Sequence, residues 1–337
     1  METWDLLRNT WFILIGVLLL GYSILDGFDL GIGALFPFLA KEEKDKKTLF
    51  KAIGPFWDGN EVWLLTGGGA LFAAFPHVYA TVFSGFYLAL MLVLFSLIFR
   101  AVSLEFRYHS PGQKGFWEKA FVFGSFLPSL LFGVALGNVL VGIPLNSRMD
   151  YTGNFFTLLR PFPLVIGLLG LAAILLQGST FVGVKTGGAL QSRARKTSRL
   201  LTVTFAVLFM LSLGATLVYI PGALKKPLAW FFALVVVTAF FLLRGAIKKE
   251  KDLLAFVMSS TAFAGLWGIA ASIHFPTLVK AGNNPDLSLT IYNASSSELT
   301  LKVMLIIALI GMPFVVGYTI YLYKVFKGKV QLEEEDL

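Results

Sequence analysis

Long apolar runs, each followed by a short polar or basic connection, recur along the whole 337-residue chain. Runs of this kind reach the ~20 residues needed to cross ~30 Å of hydrocarbon. They are continuous, without the alternation of a barrel strand. Nine spans are predicted, at 10–38, 55–75, 78–100, 118–141, 161–183, 200–221, 228–244, 253–275 and 302–325. The fold class is therefore an all-α polytopic membrane protein. Residues 1–337 form a single integral membrane domain, since no connection is long enough to hold a soluble one. The longest connection, Pro276 to Leu301, is polar and carries the turn signal Asn283-Asn284-Pro285.

Composition agrees, with 56% hydrophobic and 14% charged residues and a mean hydropathy of +0.76. The distribution of charge adds an orientation. Of the 28 Lys and Arg residues, 21 fall in one set of connections: 41–51, 100–119, 185–199, 244–251 and the tail 324–329. The opposite set holds only Arg8, Arg148, Arg160, Lys225, Lys226, Lys280 and Lys302. The positive-inside rule then puts the N-terminus outside and the C-terminus in the cytoplasm. The net charge of +8 follows from that topology and calls for no nucleic acid. The N-terminus does not read as a cleavable signal, because Glu2 and Asp5 offset Arg8 and the apolar run is too long. Cysteine is absent, which removes thiolate metal sites and iron–sulfur ligation. The Glu333–Asp336 tail reads as a solvated acidic end.

Candidate chemistry lies in the first two spans. Asp26-Gly27-Phe28-Asp29 sits inside the first apolar run, and Trp57-Asp58-Gly59-Asn60-Glu61-Val62-Trp63 opens the second. Ionisable groups at membrane depth cost roughly 2.5–3.5 kcal/mol each on insertion scales, so they mark sites or pathways. Both acid pairs are spaced i, i+3, which puts each on one helix face. Packed antiparallel, the two spans would stack a ladder from the cytoplasm inward: Asp58, Glu61, Asp29, Asp26. Desolvation favours the neutral form of a carboxyl, so such a ladder would take up and pass protons. The plainer alternatives are a cap and an ion pair. Asp58 as N-cap with Glu61 at N3 is a capping pattern, and Asp26 and Asp29 would serve as a structural ion pair or cap a glycine break. Arg100, at the end of the third span, would snorkel to the inner surface or pair with an acid of the ladder. Gly27, Gly31 and Gly33 permit either close helix packing or a local break. Gly133 and Gly137 have helix-packing spacing, and Asn138 and Gln177 are candidate interhelical hydrogen bonders. Gly67-Gly68-Gly69 would admit a neighbouring helix or a bulky ligand.

The three histidines are His77 in an outer turn, His109 in a cytoplasmic loop and His274 near the outer surface. None is expected at mid-depth, where a transmembrane haem takes its axial ligand. From the residues alone, a proton-coupled secondary transporter and a purely structural scaffold remain alternatives to a proton-relaying subunit.

The stretches Gly21-Tyr22-Ser23-Ile24-Leu25-Asp26-Gly27-Phe28-Asp29-Leu30-Gly31 and Trp57–Trp63, with Gly67-Gly68-Gly69 and Phe72-Ala73-Ala74-Phe75-Pro76, resemble subunit II of cytochrome bd-type quinol oxidases. Phe83-Ser84-Gly85-Phe86-Tyr87, Ile98-Phe99-Arg100 and Glu105-Phe106-Arg107 continue the match, which covers roughly the first third of the chain. The resemblance implies nine transmembrane helices arranged as two four-helix bundles plus one peripheral helix. It implies a terminal respiratory oxidase that oxidises quinol and reduces oxygen to water, generating proton-motive force without pumping. Haem b and haem d would be bound by a partner, subunit I, with no haem ligand or metal in this chain. Quinol would be the electron donor, and its site is assigned to no residue here. The resemblance also implies a bacterial cytoplasmic (inner) membrane, leaves open a small single-helix subunit, and implies a proton pathway through Asp29 and Asp58 first, then Asp26, Glu61, Asn60, Trp57 and Arg100.

Overall fold

Helices dominate the computed structural model, which describes residues 3–332; the Glu333–Asp336 tail and Glu2 lie outside them. In chain order they are α1 (Thr3–Leu39), α2 (Glu43–Ile53), α3 (Trp57–Ala74), α4 (Pro76–Gly85), α5 (Tyr87–His109), α6 (Lys114–Val141), α7 (Pro161–Lys185), α8 (Gly188–Tyr219), α9 (Pro227–Lys248), α10 (Asp252–His274) and α11 (Glu298–Val325). Two short strands, β1 (Thr277–Val279) and β2 (Leu289–Thr290), pair antiparallel within the 276–301 connection. The turn there is closed by Asn284, whose side chain accepts from Asp286 N.

Eight described helices, α1 and α5 to α11, have the length and apolar composition to cross a membrane. The predicted segment 55–75 forms α3, only 18 residues long and diluted by Asp58, Asn60, Glu61 and three consecutive glycines. The predicted segment 78–100 is not one helix. It divides at Phe86, which leaves helical geometry (φ −98°, ψ 18°) with its ring buried among the outer side chains. The basic connections are also largely helical: 41–51 folds into α2, and most of 185–199 forms the first turns of α8. Apolar content marks the lipid-crossing part of a helix, whereas the backbone hydrogen-bond ladder runs on through charged residues.

α1 is the organising element, at 37 residues about 55 Å long. It stays helical through Gly27, Gly31 and Gly33, so the glycines serve packing and not a break. A Cβ on Gly31 would lie 2.2 Å from Ile174 O and 2.9 Å from Gly178 Cα, so the α1 and α7 backbones touch. Gly133 and Gly137 do the same for α6 against Gly167 and Pro163 of α7. α1 also packs on α3 and α6, while α7, α8, α9 and α10 pack in a closed ring. α11 lies apart, touching α1 and α3, and Leu301 is its one fully buried residue.

The two larger clusters of the core are a phenylalanine-rich one toward the basic end, with Phe28, Phe36, Phe50, Phe56, Phe121 and Phe181, and one toward the other end; a small third holds Leu140, Phe162 and Ile220. The basic connections meet at one end through Lys46–Glu118 (2.7 Å), Arg193–Asp45 (2.5 Å) and Arg195–Asp252 (2.7 Å). Val330 N donates to Lys185 O there (2.8 Å). At the opposite end Trp4 Nε1 donates to Ser296 O (3.2 Å), Ile143 N to Lys280 O (2.9 Å) and Ser296 N to Ala74 O (2.8 Å).

Candidate functional site

Two glycines set the distances of the site. A Cβ on Gly21 of α1 would collide with the Trp63 ring at 2.3 Å, so Trp63 lies flat on α1 and draws α3 against it. Asn60 on α3 then reaches across, its Nδ2 donating to Leu25 O (3.2 Å) and to Asp29 Oδ2 (2.8 Å). On the other side, Gly124 of α6 meets the α5 backbone at Ser96 O (2.5 Å) and Arg100 N (2.7 Å) from the position a Cβ would take. That close contact brings Arg100 inward to α1.

Arg100 is fully buried and is the centre of the cluster. Its Nη2 and Nη1 donate to Asp26 Oδ1 (2.6 Å) and Oδ2 (2.9 Å), a bidentate fork. Asp29 Oδ2 lies 3.9 Å from Nη2, and Glu61 Oε1 lies 3.3 Å from Nη1 outside hydrogen-bond geometry. The snorkelling alternative for Arg100 is thereby overturned. α5 continues for more than two turns past it, and Arg107, expected in a cytoplasmic segment, is itself buried on α5 against Glu43 (2.7 Å) and Glu118 (3.0 Å).

Asp26, Asp29, Asn60, Glu61 and Arg100 thus come together, and Asp58 does not. Asp58 is exposed on the first turn of α3 and joins none of the bonds around Arg100. The capping alternative also fails, because the helix starts two residues earlier: Phe56 is the N-cap, with no side-chain cap bond. Trp57 is half-buried and packs against the inner phenylalanine cluster.

The chemistry of the cluster follows from its charge count. Three carboxyls face one guanidinium, and Asp26 alone satisfies the guanidinium fork. Buried charge without a partner is costly, and of the three only Asp26 is fully paired with the guanidinium. Asp29 is held on one side only: Oδ2 accepts from Asn60, while Oδ1 is buried without a hydrogen-bond partner.

Two tyrosines next to the cluster were not singled out from the sequence. Tyr22 lies one turn before Asp26 on α1, its ring edge-on to Phe132 (5.5 Å), and Tyr323 comes from α11. Both hydroxyls are buried without a hydrogen-bond partner. An aromatic within an apolar run looks like core, so no local signal distinguished them. Gln177 does bridge helices as expected, donating to Ser260 Oγ (2.8 Å) and Ile24 O (3.3 Å) and accepting from Ser259. Asn138 instead ties α6 to the outer connection, through Leu158 O (2.7 Å) and Arg160 Nη2 (2.9 Å).

The three histidines face backbone carbonyls at helix ends: His77 Nε2 at Arg148 O (3.2 Å), His109 Nδ1 at Glu105 O (2.9 Å) and His274 Nε2 at Leu278 O (3.0 Å). Such a donor set does not fit a haem buried in the bundle. Among the described residues no group of three or more His, Cys, Asp or Glu side chains could hold a metal ion.

Comparison with known proteins bears on the same residues. The family model described as cytochrome bd terminal oxidase subunit II matches residues 7–326. The chain is 36% identical to cytochrome bd-I ubiquinol oxidase subunit 2 of Escherichia coli K12, covering 99% of this chain and 98% of that one. It is equally 36% identical to cytochrome bd ubiquinol oxidase subunit 2 of Bacillus subtilis, over 97% and 98% of the two chains. Its fold is similar to a chain of the bd oxidase structure from Geobacillus thermodenitrificans, with a TM-score of 0.81 at 17% identity, covering 95% of this chain and 98% of that one.

Proposed function

Because the chain belongs to the cytochrome bd terminal oxidase subunit II family, we propose that it is the haem-free second subunit of a quinol:oxygen oxidoreductase and supplies a proton pathway from the cytoplasm. Electrons come from a quinol, and the haems, two of type b and one of type d, belong to the partner subunit I. Protons consumed in making water pass through this chain, while those released by the quinol leave outside, so turnover is electrogenic without pumping. The eight long apolar helices, with α3 as a ninth and shorter crossing element, are read as two four-helix groups, α1, α3, α5, α6 and α7 to α10, with α11 peripheral. The basic end faces the cytoplasm of a bacterial inner membrane, by the positive-inside rule.

One observation carries the pathway: a buried cluster in which three carboxyls share one guanidinium and Asp29 keeps one oxygen free of hydrogen bonds. Asp58, exposed one turn toward the basic end, is the entry acid in this reading, and Asp29 the first buried acceptor. Glu61, with a quarter of its side chain exposed, leads outward from the cluster to the partner.

The test is Asp29→Asn, assayed for quinol oxidation in membranes with assembly judged from the haem absorption spectrum. Loss of most turnover at normal haem content is the expected result. Full turnover would remove the pathway. A proton-coupled transporter would act alone and copurify with no pigment, so the same spectrum separates that alternative. A scaffold would keep its pigment and be indifferent to the substitution.

A further inference from the structure

α11 barely engages the rest of the chain, and most of its side chains are exposed or only partly covered. Near its basic end, however, the Tyr323 ring is inserted into the inner cluster. It stacks on Phe56 at 4.5 Å and stands edge-on to Phe28 at 6.5 Å. Both neighbours are fully buried. Phe56 immediately precedes α3, and Phe28 immediately precedes Asp29 on α1. The Tyr323 hydroxyl is close enough to Asn60 and Asp29 to interact with both electrostatically, and it is buried without a hydrogen bond.

A buried hydroxyl without a partner is a liability, because the desolvation of its oxygen goes uncompensated. Phenylalanine would make the same stacks without that cost, so packing does not account for the oxygen. The inventory around Asn60 suggests what does. Both hydrogens of its Nδ2 are spent, on Asp29 and on Leu25 O, and its carbonyl is left to accept from a hydroxyl. Tyr323 and Asp29 Oδ1 are therefore two unused polar groups beside one amide, with Tyr323 reaching them from the basic end.

We infer that Tyr323 is a relay residue of the proton pathway, passing protons from cytoplasmic water to Asp29. The step is balanced. The phenolic oxygen takes a proton from a hydronium ion, which becomes water, and its own proton goes to the Asp29 carboxylate, so the side chain ends as neutral tyrosine. α11 thereby acquires a task beyond spanning the membrane. This inference rests on the pathway proposed above.

The experiment compares Y323F, Y323H and D29N in the isolated oxidase assembly, each with its haem spectrum as the measure of assembly. Y323F loses only an unpartnered oxygen and keeps both stacks, so it assembles. Expected are a fall in quinol oxidation of roughly tenfold, equivalent to about 1.4 kcal/mol on the barrier, and a solvent deuterium isotope effect larger than that of the unmodified enzyme. Y323H, which restores a proton-carrying ring, recovers part of the loss. A purely structural tyrosine would alter neither isotope effect nor rescue. Y323F with unmodified turnover and isotope effect, beside a slow D29N, overturns the role of Tyr323 alone. If D29N is also unimpaired, the pathway itself falls.

Discussion

Replacing Arg100 by leucine strands Asp26, which then has no cation at a site with no solvent exposure. Breaking a buried pair by removing one partner costs about 3–5 kcal/mol, a large part of a typical folding stability of ~5–15 kcal/mol. The partner substitution should be milder. Asp26→Asn leaves Arg100 with Glu61 at 3.3 Å and Asp29 at 3.9 Å as remaining counter-charges. The double variant R100L/D26N removes charge from both sides and should be less damaged than R100L alone, with a coupling of about 0.5–3 kcal/mol. The assay is the yield of haem-bearing complex and the midpoint of its thermal inactivation. That midpoint should drop by about 6–20 °C for R100L, at ~2–4 °C per kcal/mol for a large domain. R100L as stable as the unmodified complex, or a double variant equal to the sum of its singles, would refute the reasoning that the pair is buried and mutually compensating.

Other perturbations separate packing from proton chemistry. Gly31→Ala should cost about 1–3 kcal/mol by forcing α1 from α7, because its Cβ would sit 2.2 Å from Ile174 O; thermal inactivation reads it. Gln177→Leu leaves Ser260 and Ile24 O without their shared donor, about 1–3 kcal/mol. Its lower thermal midpoint should come with unchanged turnover. At the basic end, partial burial would raise the Glu43 carboxyl, but Arg107 outweighs it and holds the group below its ordinary range. A depressed carboxylate contributes stability that is present above its unfolded pKa and lost as pH falls through its folded one. Glu43→Gln should therefore weaken the dependence of thermal stability on pH in the acidic range, and its cost, greatest at neutral pH and absent in acid, should be small because the side chain is 45% exposed.

Much of this was legible in the residues. Two acids inside an apolar run mark a site because their cost at depth is high, and Asp26 and Asp29 are both fully buried. The i, i+3 argument held for that pair and failed for Asp58 and Glu61. A shared helix face does not mean a shared environment when one residue is a turn closer to the helix end. Asp58 is exposed and Glu61 reaches Arg100. The partner of Asp26 lay 74 positions away, and only the close contact at Gly124 selects pairing over snorkelling. Tyr22 and Tyr323 were invisible because a ring in an apolar run carries no sign of where its hydroxyl points. The division between α4 and α5 at Phe86 did have a local signal in Ser84-Gly85, a turn-favouring pair masked by the apolar run around it.

The measurement closest to the central claim is proton uptake from the cytoplasmic side during a single turnover of the assembled oxidase, followed with an indicator dye in vesicles. With Asp29→Asn and an unaltered haem spectrum, uptake should slow together with water formation, while electron entry from quinol stays fast. Uptake as rapid as in the unmodified enzyme would contradict the account, and the carboxyls around Arg100 would then be holding helices together and nothing more.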